Sequence, residues 1–443
     1  MSAPVLSPQQ VSRGAGPSEN LLLSEVRLAR SGPADPVGPF RRETLAEHLA
    51  RTGPRRRGEA GLADRIDSAG LTGCGGGHVP TALKWRRVSR GVGPLMVVGN
   101  GAESEPLSAK DVSLMRQRPH LVLDGLALAS EALGAARTVL WLHGDDDGSR
   151  RSLAAALDER RAAGLPDPRI ELVSGPVHYL AGEQSAIAGA LRGGPALPTA
   201  RGPQSANRAR RPGAGESAAR TLVQNVETLA RVALADRGRP SSGTSLVTVL
   251  GPSGRTVAEV DRVSSFADLL RATAAAPDGP PPAVLLGGYG GMWVRWEEIA
   301  HRPVDAWALR AAGYQLGAGV VVPLAPESCG LVETAAIVGY LAAMSARQCG
   351  PCLFGLPALA GGMRALADGS ASARRLTRLR QDVHAVAGRG ACHHPDGATR
   401  LVASALDVFA TDVDAHLRHR PCPASRRSAL LPLPATATPG VRR

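Results

Sequence analysis

The sequence predicts an α/β fold that gives way to a small β-rich module and then to an all-helical region. Three observations carry this. Between 43 and 237, short apolar runs alternate with helical stretches. Near 250, two β-type runs flank Gly251-Pro252-Ser253-Gly254. Beyond 328, apolar residues recur at helical spacing on three separate segments. Strands alternating with helices imply a parallel or mixed sheet covered by helices, whereas a Gly/Pro turn between apolar runs implies a hairpin.

In order along the chain, residues 1–42 are rich in Pro, Gly and Ser without sustained periodicity, so a disordered leader is expected. Residues 95–98, 139–142 and 170–173 are strand-sized, and 120–133 and 151–163 read as helices. The stretch 193–215, rich in Pro, Arg and Gly, should wrap the surface as a loop. Residues 240–300 hold the hairpin (245–250 and 256–260), a short helix at 265–273 and a strand at 283–286, the pattern of a β-grasp-like module. Over 328–420, Leu331, Ala335, Val338 and Leu341 share one helical face. So do Leu376, Leu379, Val383 and Val386, and then Val402, Leu406, Phe409 and Val413. Three such stripes indicate a bundle. The tail, 421–443, is Pro-, Ala- and Arg-rich and is expected to be disordered.

A chain of 443 residues, 43% hydrophobic and 21% charged, is long enough for two or three domains with real cores. Its net charge of +13 invites a nucleic-acid reading. That reading is set aside, because the cations are scattered among carboxylates and the densest Arg runs, 55–57 and 208–211, lie in loop-like sequence. Lys84 and Lys110 are the only lysines; arginine supplies every other basic side chain. Where Arg serves almost everywhere, a surviving Lys marks a place that needs a compact ammonium. No signal-peptide pattern is visible, and no window approaches the ~20 apolar residues of a membrane span. A cytoplasmic protein is expected, or one peripheral to a membrane through a partner. Six cysteines in such a chain argue for metal or redox chemistry over disulfides.

The chemical motifs begin at Gly73-Cys74-Gly75-Gly76-Gly77, followed by Pro80-Thr81-Ala82-Leu83-Lys84-Trp85. Closely spaced glycines let backbone N–H groups approach a phosphate, and a Lys seven residues on adds a point charge. Next, 97–106 reads as a strand ending in Asn100, Glu103 and Glu105, with Lys110 and Asp111 after it. Polar groups at a strand's carboxyl end suit ligand binding in an open α/β sheet. Two further segments follow: Tyr179-Leu180-Ala181-Gly182-Glu183 and Gln224-Asn225-Val226-Glu227-Thr228. Tyr289, within Gly287-Gly288-Tyr289-Gly290-Gly291, is read as marking a tight turn without chemistry. Finally, Cys349-Gly350-Pro351-Cys352 precedes Cys392. On spacing alone this set is open between zinc, a redox dithiol and an iron–sulfur centre.

Taken in order, these segments resemble the F subunit of bacterial complex I and its relatives, the diaphorase subunits of NAD-reducing hydrogenases and formate dehydrogenases. The similarity runs from about Ala46 to Arg418. It implies a Rossmann-like FMN- and NADH-binding domain over 43–237, an SLBB-type β-grasp module over 240–300, and a helical iron–sulfur domain over 328–420. It places FMN against Gly73, Gly75, Gly76, Gly77 and Lys84, with Asn100, Glu103, Gly182, Glu183, Asn225 and Thr228 nearby and Glu103 as the catalytic carboxylate. It further implies a [4Fe–4S] cluster on Cys349, Cys352 and Cys392. Departures from the family pattern fall at His78, Val79, Ala102, Gln184 and Gln224, and Ala346 stands where the family has a further cysteine ligand. His393 and His394 are local candidates for that fourth ligand and Cys329 a remoter one; Cys74, Cys329 and Cys422 otherwise read as structural. The expected function is oxidation of NADH by FMN, with electrons leaving through the cluster to a partner protein such as a ferredoxin, a membrane reductase or other complex subunits. The alternative is a non-catalytic protein that serves as an iron–sulfur electron-transfer or scaffold component.

Overall fold

The computed structural model describes residues 22–23, 27–29, 41–199, 220–239, 241–277, 279–420, 422–426 and 428–434. Ten strands fall into two sheets: β1 (Arg27–Ala29), β2 (Leu95–Gly101), β3 (Arg137–Leu142), β4 (Ile170–Ser174), β5 (Arg220–Asn225), β6 (Thr244–Gly251), β7 (Gly254–Asp261), β8 (Ala283–Leu286), β9 (Met292–Arg295) and β10 (Val320–Pro323).

The first sheet is wholly parallel, in the order β4-β3-β2-β5. The chain winds outward from β2 to β3 and β4, then returns to lay β5 on β2's other side. That reversal makes the carboxyl ends of β2 and β5 a switch point, where open α/β sheets bind ligands. Asn100 and Asn225 are register partners there. Helices Pro119–Ala132 and Val226–Asp236 cover one face, the second with every residue buried. They approach most closely at Gly125, where a Cβ would lie 1.8 Å from the Leu229 carbonyl oxygen, so only glycine fits.

The second sheet runs β1-β7-β6-β10-β8-β9. It is built from a β6–β7 hairpin, the helix Phe266–Ala272 with its Ser265/Asp268 capping box, and a last strand β10 parallel to β6. The module expected over 240–300 therefore extends to Pro323, because its central strand is the last to arrive. Most of the expected leader lies outside the described residues, but Leu22 and Leu23 are buried and β1 pairs with β7. That part of 1–42 is an edge of the sheet. The loop expected at 193–215 lies outside the described residues beyond 199.

The helical region comprises Gly330–Ala343, Leu356–Ala367, Ala373–Val386, His394–Val408 and Ala410–Leu417. Its three anticipated stripes face one core, with Ala335 packed at its edge. Helix Leu356–Ala367 adds to the three; it follows a π-helical turn, Pro351–Gly355. The tail expected to be disordered is partly docked. The amides of Leu430 and Leu431 donate to the buried carboxylate of Glu333 at 2.7 and 3.1 Å.

Candidate flavin and iron–sulfur site

A cavity of about 960 Å³ opens at the β2/β5 switch point. Gly73, Gly75, Gly76, Gly77, Lys84, Asn100, Gly182, Glu183, Asn225 and Thr228 all line it. Residues far apart in sequence are thus gathered because the strand ends and the loops leaving them converge.

The glycine loop is fixed from beneath. Gly73 N–H donates to the Val79 carbonyl oxygen at 2.9 Å, and Cys74 N–H donates to Thr228 Oγ1 at 2.9 Å. Gly76 has φ +89° and a Cβ there would lie 3.5 Å from Gly317, so the loop also abuts the second sheet. Asn225 caps helix Val226–Asp236 through the Glu227 amide at 2.9 Å, and its Nδ2 donates to Asp111 Oδ2 at 2.7 Å. Asn100 Nδ2 donates to the Gly182 carbonyl at 3.0 Å, and Glu183 accepts the Ser185 and Ala186 amides at 2.7 and 3.0 Å. These side chains shape the wall, while the glycine backbone presents the N–H groups.

The two lysines differ. Lys110 is buried in an ion network, with Asp111 and Glu227 each 2.8 Å away and Arg231 beyond Glu227. Burial alone would lower its pKa, but the charges of Asp111, Glu227 and Glu103 raise it instead. Lys84 is half-buried on the cavity wall and donates to the Val223 carbonyl oxygen. Burial, with no carboxylate to offset it, pushes Lys84 down to about 8. The site therefore holds a desolvated cation that lacks an anion. In the same cavity, His78 Nε2 and Gln224 Oε1 are buried polar atoms with no hydrogen-bond partner among the described residues. A ligand with an anionic phosphate and a polar ring system fits this donor and acceptor set.

Glu103 does not line the cavity. Its carboxylate turns into the start of helix Lys110–Gln117, accepting the Asp111 and Val112 amides at 3.1 and 3.0 Å and the Ser108 hydroxyl. It holds a helix and is not among the residues that line the cavity, so the geometry lends no support to the cofactor and catalytic roles expected for it. Glu105 occupies the wall instead. Tyr179 Oη donates to it at 3.1 Å, as do the amides of Tyr289 and Gly290, yet burial outweighs these donors and pushes the carboxyl up to about 7. The Gly287–Gly291 turn thus has a chemical part that its sequence does not reveal: a Cβ on Gly288 would lie 2.3 Å from the Glu105 carboxyl carbon.

Cys392, His393 and His394 also line the same cavity. Burial and the neighbouring thiols of Cys349 and Cys392 push Cys352 up to about 12, so the three predicted cysteines do meet. They are not among the donor sets that fit within 4.8 Å of one another, the spacing of ligands on one ion. Ala346 offers no donor. His394 is buried; its Nε2 donates to the Leu341 carbonyl oxygen at 2.8 Å, leaving Nδ1 as an acceptor without a hydrogen-bond partner among the described residues. His393 is exposed and pairs with Asp396 at 3.2 Å. Cys329 belongs to a different cluster, with His416 and Cys422.

Comparison with known proteins agrees with this division. The Nuo51 FMN-binding domain family matches residues 66–234, and the NADH-ubiquinone oxidoreductase-F iron-sulfur binding region matches 333–416. The NADH-quinone oxidoreductase F subunit of Streptomyces coelicolor is 27% identical over 379 residues, covering 81% of this chain and 83% of its own. One of two such F subunits of Rhizobium meliloti, the second by its numbering, is also 27% identical, covering 82% and 90%. Among solved structures, an NAD+-reducing [NiFe]-hydrogenase chain in the H2-reduced state superposes with a TM-score of 0.71 at 27% identity over 80% of this chain. The present chain spans 62% of that hydrogenase chain's length. In the air-oxidised state the TM-score is 0.69 at 26% identity.

Proposed function

The chain belongs to the family of NADH-quinone oxidoreductase F subunits, and from that premise we propose that it oxidises NADH at an FMN seated in the switch-point cavity and passes the electrons to an iron–sulfur cluster. The observation that carries this is the shared cavity. Flavin-type motifs line it together with Cys392 and His394, so the two redox sites need no further relay between them. FMN supplies hydride acceptance and the conversion of a two-electron donor into single-electron transfers.

The chain's own residues supply placement. The backbone of Gly75, Gly76 and Gly77 and the ammonium of Lys84 receive the phosphate; Gln224 and His78 offer their unpaired atoms to the ring and sugar. Val79, 44% exposed on the rim, borders the space for the nicotinamide. Glu105, held close to half-ionised at neutral pH, sets the charge of the wall opposite the glycine loop. Cys349, Cys352 and Cys392 hold the cluster, and His394 Nδ1 is the local donor for its fourth iron. The second sheet fits an SLBB-type module that closes the cavity from its far side, and the C-terminal helices fit an iron–sulfur bundle.

Among the described residues no helix is long and apolar enough to cross a membrane. The electron acceptor in this reading is a docked partner: a ferredoxin, a membrane reductase or sister subunits of a complex. An anaerobic absorbance spectrum before and after NADH tests the whole reading. Flavin bands that bleach, with iron reduced in step, support it. Brown protein without flavin would instead favour a non-catalytic iron–sulfur protein.

A further inference from the structure

Cys329, His416 and Cys422, apart from the cysteines of the iron–sulfur site, place one donor atom each within 4.8 Å of the other two. They are the one group among the described residues to do so. Each donor is oriented for a cation by its own surroundings.

Cys329 is the N-cap residue of the fourteen-residue helix Gly330–Ala343, with the Leu331 and Val332 amides near its sulfur but no capping hydrogen bond to it. A helix N-terminus favours thiolate over thiol. His416 is fully buried on helix Ala410–Leu417. A carbonyl oxygen can only accept, so the 2.9 Å contact to Leu366 makes Nδ1 the protonated nitrogen. Nε2 is then a bare lone pair, and it points at Cys329 Sγ, 3.9 Å away. Metal-bound histidines are held in this way, with the second nitrogen tied to a backbone carbonyl. Cys422 comes from the C-terminal segment and hydrogen-bonds Cys329.

A buried histidine beside two cysteines is more often plain core packing, and two adjacent thiols can also oxidise to a disulfide. Neither accounts for two sulfurs gathered on the Nε2 side of an imidazole whose other nitrogen is already tied to a carbonyl. We propose that Cys329, His416 and Cys422 form a site for a thiophilic divalent cation, Zn2+, with solvent as the fourth ligand. Binding is redox-neutral: the two S–H bonds break, two S–Zn bonds form, and the protons go to buffer. Burial holds Cys329 up to about 12 without a cation, so proton release accompanies binding at neutral pH. The consequence is structural. Cys422 is the only ligand from the tail, and the tail's next contacts, Leu430 and Leu431 on Glu333 and the Pro432 carbonyl on Tyr289, lie just beyond it. The cation clasps the C-terminal segment onto the helical region.

The test uses the full chain purified anaerobically. Iron and zinc are counted in the wild type, in Cys422→Ser and in Cys352→Ser. Loss of one zinc equivalent in Cys422→Ser with iron retained, and the converse in Cys352→Ser, is the expected result. Zinc alone is then titrated into chelator-stripped protein while proton release and alkylation of Cys329 and Cys422 are followed. Joint protection of both thiols by zinc is expected, and it reads out the wild type whether or not Cys422→Ser folds. Zinc content indifferent to Cys422→Ser, a Cys329–Cys422 disulfide in the anaerobic protein, or alkylation unaffected by zinc would each overturn the site. None of these outcomes touches the flavin or the iron.

Discussion

Replacing Lys84 by Met separates a ligand-binding lysine from a structural one. The thioether keeps most of the apolar stem while removing the ammonium. In the ligand-free protein two effects oppose each other. The depression of Lys84 from 10.5 to about 8 corresponds to a burial cost of roughly 3 kcal/mol for the charged form. Its hydrogen bond to the Val223 carbonyl, a bond to a charged donor, returns about 1.5–3 kcal/mol. The two partly cancel, so Lys84→Met should change unfolding stability by no more than about 2 kcal/mol. In the flavin complex the ammonium gains a phosphate partner, a charge-assisted contact again worth about 1.5–3 kcal/mol, and its loss weakens FMN binding roughly 10- to 150-fold. The pH dependence follows from the direction of the shift. Below pH 8 the lysine is already charged and affinity is on its plateau. As pH rises through 8, the amine becomes neutral and wild-type affinity falls, by up to about tenfold per unit, while the Met variant stays flat. Fluorescence titration of stripped protein with FMN between pH 7 and 9.5, beside urea unfolding of the same samples, makes both measurements. Unchanged FMN affinity, or a fold weakened by several kcal/mol, would refute the assignment of Lys84 to the phosphate.

Three further outcomes are expected. Glu105 has a folded pKa of about 7 against an ordinary 4.5, so it weakens the fold as pH rises through that window; Glu105→Gln should raise stability by roughly 3 kcal/mol above pH 7 and by nothing below 4.5, read from denaturation midpoints across pH. Val79→Phe should tighten NADH binding by about 0.5–1.5 kcal/mol through ring contact, measured as the nucleotide dissociation constant; no change would place the nucleotide elsewhere. Ala346→Cys supplies the missing thiolate and should slow bleaching of the cluster in air at unchanged iron count. If His394 already ligates the fourth iron, the bleaching rate will not move, and His394→Ala should then lower the iron count.

Much of this arrangement was readable in the sequence because local rules fixed it. Residues 283–286 are β8 to the residue, and the short helix read over 265–273 is the helix Phe266–Ala272. The flavin-type segments were recognisable one by one, since each is a short run whose glycines, amides and lysine have local reasons to be there. What escaped depended on contacts between distant segments. After Gly101 the chain leaves β2, so the two-residue alternation that would assign Glu103 and Glu105 to the same side no longer applies. Only the fold shows that Glu103 faces the Asp111 and Val112 amides and Glu105 the Gly287–Gly291 turn. Strand β10 is four residues long and pairs with a partner more than seventy positions earlier, so nothing nearby distinguished it from a buried loop. Cys329 and His416 stand 87 residues apart, a separation at which spacing carries no signal.

The same non-local packing explains why flavin and cluster sites can belong to separate folding units yet act as one. Three glycine turns meet where the units join. A Cβ on Gly76 would contact Gly317, and one on Gly317, at φ +54°, would lie 2.8 Å from Gly287 Cα. Gly76 belongs to the anion-binding loop, and Gly287 and Gly317 to the second sheet's connections. On the other side, a Cβ on Gly397, in the helix that begins at His394, would lie 3.0 Å from Gly290. The Gly287–Gly291 turn therefore touches the flavin-type loop through Gly317 on one side and the cysteine-bearing segment on the other, with Glu105 seated upon it. Close backbone packing of this kind tolerates little displacement. A shift of either wall must move that turn, and with it the carboxyl whose ionisation lies near neutrality. The middle module, unremarkable in composition, is thus packed closely against both the glycine loop and the helix that follows Cys392.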